Sequence, residues 1–187
     1  MKLVVGIDHS MTAFGLAAVP STWELDLRRV RRTTLTTKPG LAVVRRARLA
    51  NDVCEWIRRQ TKRFGITCGD VRVLMEGGIF MRGKPDTIRS QERLAGIVEH
   101  ELFRQLGIEA ELAQQQTARA SFMGSDAYRR GAGDMAQALM RELVGDEWDE
   151  AELDAFVVAN HGLSLGEFPF LSCAPRSAGF SIHSRRR

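Results

Sequence analysis

The sequence has no closely spaced pair of cysteines and no long hydrophobic run. Its three cysteines, Cys54, Cys68 and Cys173, stand far apart, so it contains neither a CxxC motif nor a zinc-binding set. An odd number of isolated cysteines favours free, reduced thiols over a disulfide framework. No apolar stretch is long enough to cross a bilayer, so we expect no membrane partner.

The first residues also lack the features of a signal peptide. Residues 3–7 are apolar and partly β-branched, but the stretch is short and ends at Asp8 without a small-residue cleavage site. We interpret it as a buried strand and expect a cytoplasmic protein. A length of 187 residues with 44% hydrophobic residues fits one domain around one core.

The charge is mildly basic, and arginine carries most of it. The formal net charge is +4 and the isoelectric point is about 9.3. Arginines cluster at residues 28–29, 31–32, 45–46, 58–59, 129–130 and 185–187. Most of these pairs are equally consistent with solvated faces of helices and strands. Arginine nevertheless suits bidentate contacts with phosphate, so the pattern is weak evidence for a polyanionic partner.

Hydrophobic periodicity predicts an α/β fold. Residues 3–7, 13–19 and 23–30 have strand patterns and form an antiparallel meander, and residues 33–37 end its third strand or form their own. Helices are predicted over 41–64, 87–106, 133–144 and 150–161, strands over 70–76 and 108–112, and connectors over 77–86 and 117–124. This order predicts a mixed sheet of about five strands flanked by helices.

Acidic residues end two of the predicted strands. Asp8 follows the apolar strand 3–7, and Glu76 follows the strand within 70–76 in the same way. An acid at a strand end is often only a turn residue. If the two strands are neighbours, however, both carboxylates lie at one sheet edge, where open α/β sheets place their sites. Asp154 interrupts an apolar helix, and a buried charge there needs a partner.

A fourth acid lies one turn before Asp154. Glu150 points the same way at i,i+4 spacing, although it can equally serve as a partner of the helix dipole. Asp149 can cap the helix or replace Glu150 as a ligand. Such crowding raises carboxyl pKa values unless cations neutralise the charge. Mg²⁺ binds carboxylate oxygens, and two divalent ions about 3.5–4 Å apart can drive phosphodiester hydrolysis.

Several segments, in order, resemble the RuvC-type Holliday-junction resolvases, a family with the RNase H-like fold. Residues 4–10 and 14–17 resemble the family's opening strand and return strand, and Glu76 followed by Phe80 and Met81 resembles its strand acid with a nearby Phe-Met pair. The family's small-residue helix segment corresponds to residues 94–96, and its strand before a basic connector corresponds to residues 114–119. Its final Asp-Ala helix corresponds to residues 154–159. The order and spacing agree from Lys2 to about His161.

The resemblance implies a Mg²⁺-dependent endonuclease that resolves Holliday junctions and related branched DNA, with two ions for which Mn²⁺ can substitute. It makes residues 1–165 an RNase H-like nuclease domain and residues 166–187 a C-terminal basic tail. Asp8, Glu76 and Asp154 become catalytic metal ligands. The family's further acid, three residues before the last Asp, is Ala151 here, so Glu150 is the expected substitute.

The resemblance also implies where DNA and a second protomer bind. Phe80 is expected to stack on a base at the branch point, with core packing as the other interpretation. Phosphate contacts are expected from Arg82, Lys84, Arg119, Arg129 and Arg130, with solvent exposure as the alternative. The helix around residues 94–102 is the expected homodimer face, and a two-fold dimer presents two active sites to a four-way junction. The first turn differs from the family, because His9 and Ser10 replace Pro and Gly.

Three other functions are weighed against this one. Residues 6–12 also fit the phosphate turn of actin-like ATPases and sugar kinases, but that class needs two such domains and a nucleotide cleft between them. Ala151 keeps a catalytically impaired DNA-binding homologue under consideration. A nuclease with wider specificity, cutting flaps, forks or RNA–DNA hybrids, shares the same fold-level features.

Overall fold

The computed structural model describes residues 1–9, 13–22, 25–36, 39–77, 85–124, 131–166, 170–172 and 181–183. In this part of the chain the strands are β1 Lys2–His9, β2 Phe14–Ser21, β3 Arg31–Leu35, β4 Val71–Gly77, β5 Ala110–Gln114, β6 Phe170–Ser172 and β7 Ser181–His183. The helices are α1 Ala42–Phe64, α2 Pro85–Leu106, α3 Gln115–Met123, α4 Ala132–Val144 and α5 Glu150–Leu165.

The first five strands form one mixed sheet in the order β3-β2-β1-β4-β5. The strands β1, β2 and β3 pair antiparallel, and β4 and β5 continue the sheet parallel to β1. This confirms the predicted α/β fold with a mixed five-stranded sheet.

The two faces of the sheet are covered by different helices, because side chains alternate along each strand. Val4 of β1 packs in the core that includes α5, whereas Val5 and Ile7 pack in the core that includes α1 and α2. On α1, the predicted helix ends at Gly65, which caps it in the left-handed conformation with φ 63°.

Helix α5 lies directly on the backbone of the sheet at two glycines. A Cβ atom on Gly6 would lie 2.0 Å from the carbonyl oxygen of Ala155, and one on Gly15 would lie 2.0 Å from that of Ala151. No side chain fits at either position without moving the helix. Glycine in β1 and β2 therefore sets how closely α5, and with it Asp154, approaches the sheet.

The prediction of a strand over residues 23–30 is wrong within the described part of that segment. Residues Leu27–Arg29 form a single 3₁₀ turn, and the third strand starts only at Arg31. The side chain of Asp26 accepts a hydrogen bond of 3.0 Å from the backbone N–H of Arg28. This local bond competes with ladder pairing and explains why alternation in the sequence did not produce a strand.

The connector predicted over residues 117–124 is also wrong, because α3 occupies Gln115–Met123. Ala118 and Phe122, four residues apart, are both buried against the core that includes α5.

Beyond the predicted helix end at His161, α5 continues to Leu165, and β6 pairs antiparallel with β7. Within the described residues, no helix is both long and apolar enough to span a membrane.

Candidate active site

Two acidic side chains meet at one end of the central strands. Strands β1 and β4 are parallel, with Ile7 opposite Met75, so Asp8 and Glu76 follow as neighbours on the same face of the sheet. This face is the one covered by α5, because Val4, four residues before Asp8, and Leu74, two residues before Glu76, pack in the same core cluster as residues of α5. Asp8 and Glu76, which we call the acid pair, therefore lie side by side at the carboxyl ends of the two strands, as the strand pattern predicted.

The carboxyl groups of the acid pair are hydrogen-bonded to each other, with Asp8 half-buried and Glu76 buried. Glu76 is only 7% exposed. Burial raises the pKa of Asp8 above its usual range, and the neighbouring charge of Glu76 raises it further. Burial also raises the pKa of Glu76, although the hydrogen bond from Asp8 opposes this. Without a cation, the acid pair therefore holds a proton on Asp8.

Asp154 approaches the acid pair from the first turns of α5. Burial raises its pKa, and its charge in turn raises the pKa of both Asp8 and Glu76. The three acids thus act on one another electrostatically. As they stand, however, the described residues contain no group of three or more His, Cys, Asp or Glu side chains close enough to hold a metal ion.

Asp154 is held by two side chains from other helices, which we call the Asp154 clamp. Gln137 of α4 donates a hydrogen bond of 3.1 Å from Nε2 to one carboxylate oxygen of Asp154. The guanidinium of Arg119 on α3 lies 3.8 Å from the other oxygen. Both oxygens of the third acid are therefore engaged by the protein itself.

Arg119 is mostly buried beside the acids. Its side chain is 15% exposed, and a Cβ atom on Gly133 of α4 would lie only 3.1 Å from its Nη2 atom. The positive charge of Arg119 lowers the pKa of Asp8, Glu76 and Asp154, opposing the effect of burial. Arg119 is thus the internal counter-charge of the three acids.

The two candidates for a fourth acid have different environments. Asp149 is the N-cap of α5, where its carboxylate accepts a 2.8 Å hydrogen bond from the backbone N–H of Glu152 in a capping box. Glu150 is exposed in the first turn, and its charge raises the pKa of Asp154. Capping therefore accounts for Asp149, while Glu150 lies within electrostatic range of the site without being buried in it.

Two residues near Asp154 were missed by sequence reasoning. Gln137 forms half of the clamp, and the charge of Asp134, in the first turn of α4, raises the pKa of Asp154. The only signal in the sequence is a glutamine between the buried Ala136 and Met140 of α4. The other predicted DNA contacts, Phe80, Arg82, Lys84, Arg129 and Arg130, lie outside the described residues.

A cleft of about 460 Å³ opens beside the acid pair, between α2 and the ends of β4 and β5. We call it the α2 cleft. His9, the last residue of β1, lines it and is 8% exposed. Burial lowers the pKa of His9, so its imidazole is neutral at pH 7. An open space therefore adjoins the acids on the side away from α5.

The raised carboxyl pKa values predict how stability depends on pH in the absence of metal. The folded protein binds protons on these acids at pH values where the unfolded chain has lost them, so this contribution to stability declines as pH rises above about 4. We expect the melting temperature of wild-type protein in EDTA, relative to that of Asp8→Asn, to fall steadily from pH 5 to pH 8. The comparison cancels the buried histidines, whose lowered pKa values act in the opposite direction. A difference that is constant across this range would contradict the proton on Asp8.

The sheet order, with three antiparallel strands continued by two parallel ones and α5 across one face, is that of the RNase H-like α/β proteins. The structure of Thermus thermophilus RuvC in complex with a Holliday junction substrate is similar, with a TM-score of 0.65 and 19% identity over 90% of this chain and 98% of that chain. A second Thermus thermophilus RuvC structure has a TM-score of 0.60 and 17% identity, covering 88% of this chain and 96% of its own. No protein-family model and no curated protein sequence matches. At this identity the likeness shows the fold, which is the RNase H-like fold of RuvC.

Proposed function

We propose that the protein is a Mg²⁺-dependent endonuclease that cleaves four-way junctions and related branched DNA. The observation that carries the proposal is the acid pair Asp8–Glu76, placed by parallel register at the end of the central strands with Asp154 above it. Buried carboxylates that repel one another are stabilised by a proton or by cations. The fold is that of RuvC, one of whose structures contains a Holliday junction substrate.

The residues present fit divalent ions with hard oxygen ligands. Asp8, Glu76 and Asp154 would hold them, and the exposed Glu150 is the proposed fourth acid. When bound, two such ions make the attacking water more acidic and stabilise the leaving oxygen. Mg²⁺ prefers this all-carboxylate chemistry, and Mn²⁺ can replace it.

The protein's own groups prepare the site for cations and for phosphate. Asp8 and Asp154 would hold the cations, Asp8 without the proton that it carries in the metal-free protein and Asp154 without its contacts to the clamp. Arg119 would then lie beside the acids, available to bind a DNA phosphate. In this proposal Arg119 stabilises the empty site first and contacts phosphate afterwards.

The position of Arg119 predicts opposite effects on metal binding and on cleavage. Arg119→Ala removes a positive charge near all three acids, so we expect Mn²⁺ affinity without DNA to rise by roughly threefold or more. The same variant should cleave junctions more slowly, because the phosphate contact is lost. Calorimetric titration with Mn²⁺ and single-turnover cleavage measure the two effects, with Arg63→Ala on α1 as the exposed control. A lower Mn²⁺ affinity in Arg119→Ala would show that the arginine supports metal binding instead of competing with it.

The homodimer remains part of the proposal, but its face must differ from the apolar side of α2. Leu94, Val98 and Leu102 are completely buried in the protomer's own core. The solvent-facing side of α2 includes Phe103, whose exposure is 59%. A two-fold dimer through this side would present one active site to each cleaved strand of a junction.

A catalytically impaired DNA-binding homologue is the second candidate. Two observations favour it: Ala151 replaces the family's further acid, and Asp154 is engaged by its clamp instead of standing free. Incubation of labelled junction, fork, flap and linear duplex with Mg²⁺ or EDTA separates the candidates. Cleavage of the junction only with Mg²⁺ supports the resolvase, equal cleavage of flaps and forks supports a broader nuclease, and binding without cleavage supports the impaired homologue.

A further inference from the structure

Arg32 joins the edge of the sheet to the start of α5. It lies on β3 opposite Ala17 of β2, which packs in the core that includes α5, so the side chain of Arg32 lies on the α5 side of the sheet. Its Nε atom donates a hydrogen bond of 2.9 Å to Oε2 of Glu152, and its Nη2 atom donates one of 3.2 Å to the backbone carbonyl oxygen of Glu147. One guanidinium therefore binds residues on both sides of the helix start.

The same guanidinium packs on an aromatic ring that precedes the helix. Its central carbon lies 4.5 Å from the ring centroid of Trp148, which is a cation–π contact. Trp148 is buried and meets Phe156 edge to face, with ring centroids 5.6 Å apart. Phe156 is completely buried and lies two residues after Asp154. The contact with Arg32 thus continues into the part of α5 that carries the third acid.

Glu152 connects Arg32 to the cap of α5. Its Oε2 atom also accepts a hydrogen bond of 3.3 Å from the backbone N–H of Asp149, the N-cap residue, which in turn accepts one of 2.8 Å from the backbone N–H of Glu152. The ion pair is partly shielded from water, because the side chains of Arg32 and Glu152 are only 26% and 13% exposed. Arg32 and the capping box therefore form one connected network around the first turn of the helix.

This network matters because the sheet offers no side chains to α5 at its two closest contacts. Gly6 and Gly15 let the helix backbone approach the strands, but they cannot prevent a rotation of the helix about its own axis. A rotation of about 20° would move a carboxylate that lies roughly 5 Å from the axis by roughly 2 Å. Functional groups must be held within about 0.5 Å, and apolar packing is non-directional. The direction of Asp154 therefore depends on polar contacts such as those of Arg32.

We propose that Arg32 is a positioning residue that fixes the first turn of α5, so that Asp154 faces the acid pair. Its contacts surround the N-cap residue Asp149, so it acts on Asp154 through the helix. Its consequence for metal binding rests on the proposed function, whereas its effect on the position of Asp154 does not.

Mn²⁺ binding distinguishes positioning from a simple effect of charge. Removing a positive charge near carboxylates should by itself raise their affinity for a cation. If Arg32 positions Asp154, Arg32→Ala should instead lower Mn²⁺ affinity about tenfold or more, as is usual for residues that orient metal ligands. Calorimetric titration of the folded variant without DNA measures the difference. An unchanged or higher affinity, in a protein whose wild type binds Mn²⁺, would overturn the proposal.

The Asp154 clamp provides a second readout that requires no metal. The side-chain amide of Gln137 on α4 donates a hydrogen bond of 3.1 Å to Asp154, so its NMR signals report where Asp154 lies. We expect Arg32→Ala to shift these signals in EDTA towards their positions in Asp154→Ala, where the bond is absent. Unchanged signals would contradict the proposal whether or not the protein binds metal.

Arg72 offers a matched control at the other end of α5. It lies on β4, forms an ion pair of 2.6 Å with Glu111 and donates a hydrogen bond of 3.2 Å to the backbone carbonyl oxygen of Gly162. Gly162 lies about 12 Å along the helix axis from Asp154. Arg72→Ala should lower stability to urea, as Arg32→Ala does, but should keep the Mn²⁺ affinity and the Gln137 signals. If both variants shift the signals, Arg32 only supports the fold and the proposal is wrong.

Arg32→Lys is a milder variant that tests how the guanidinium acts. Lysine keeps the charge and can bind Glu152, but it lacks the second donor for the carbonyl oxygen of Glu147 and the flat surface for Trp148. We expect it to fold as the wild type does and to recover only part of the Mn²⁺ affinity and of the Gln137 signal positions. Full recovery would show that the charge alone is sufficient and would contradict positioning by the guanidinium.

The same measurements separate this inference from the proposed function. If wild-type protein binds no Mn²⁺ and cleaves no junction, but the Gln137 signals shift in Arg32→Ala and not in Arg72→Ala, Arg32 positions Asp154 and the nuclease proposal fails. If the wild type binds Mn²⁺ and cleaves junctions, while Arg32→Ala equals it in Gln137 signals and Mn²⁺ affinity, the positioning role fails alone.

Discussion

Replacing Asp8 with asparagine is expected to abolish Mg²⁺-dependent cleavage of a four-way junction while leaving junction binding intact. The asparagine keeps the size of the side chain and its hydrogen bond with Glu76, but it cannot ionise and so cannot supply the carboxylate that would bind Mg²⁺. A lost metal ligand removes several kcal/mol of stabilisation of the transition state, which corresponds to at least about a thousandfold in rate. Single-turnover cleavage and anisotropy with labelled junction measure the two effects.

The same substitution should make the metal-free protein more stable. The asparagine is neutral without binding a proton, whereas burial and Glu76 raise the pKa of Asp8 so that folding must protonate it. We therefore expect a gain of about 1–2 kcal/mol, or roughly 2–8 °C in melting temperature in EDTA. Asp52→Asn, on the exposed side of α1, is the matched control and should change neither stability nor cleavage. If Asp8→Asn cleaves junctions at the wild-type rate, the acid pair is not the catalytic centre.

Gly6→Ala is expected to cause a large loss of stability, because Gly6 lies directly under the backbone of α5. The new Cβ would lie 2.0 Å from the carbonyl oxygen of Ala155 and 2.4 Å from the backbone nitrogen of Ala159. Both atoms belong to the backbone of α5, so no side-chain rotation relieves the clash and the helix must move. We expect a destabilisation of about 3 kcal/mol or more, measured by urea unfolding.

The displacement should also affect the site, because Asp154 is carried by the displaced helix. Gly6→Ala is therefore expected to lower Mn²⁺ affinity even under conditions where the variant is fully folded. Gly96→Ala controls for the added methyl group, since its Cβ meets nothing within 4 Å and the helix should gain up to about 1 kcal/mol. If Gly6→Ala is as stable as wild type, α5 does not approach β1 as closely as the structure shows.

The main elements could be predicted from the sequence because their patterns are local. Apolar runs ending in an acid predicted β1 and β4, and helical periodicity with Gly65 as the cap predicted α1. Where a local pattern was ambiguous, the prediction was wrong: alternation near Asp26 indicated a strand, but a side-chain hydrogen bond forms a 3₁₀ turn there. Helix α3 was missed because its apolar face is too short to indicate a helix in the sequence. The helix is recognised only when this face packs against α5.

The candidate site was predictable only in part, for a related reason. Asp8, Glu76 and Asp154 could be singled out because each follows or interrupts an apolar segment. Their mutual approach depends on the parallel register of β1 with β4 and on two glycines under α5. The roles of Glu150 and Asp149 could not be separated by spacing alone, since capping and ligand binding favour the same residue types at a helix start.

The sequence by itself determined which segments form strands and helices and which acids end them, because those properties depend on residues within a few positions of one another. Only the tertiary structure decided that Asp154 is held by Gln137 and Arg119 from two other helices, and that His9 faces a cleft below α2. Gln137 and Arg119 lie 17 and 35 positions before Asp154 in the chain. No local pattern encodes such pairs, since they follow from how the packed sheet and helices bring distant side chains together.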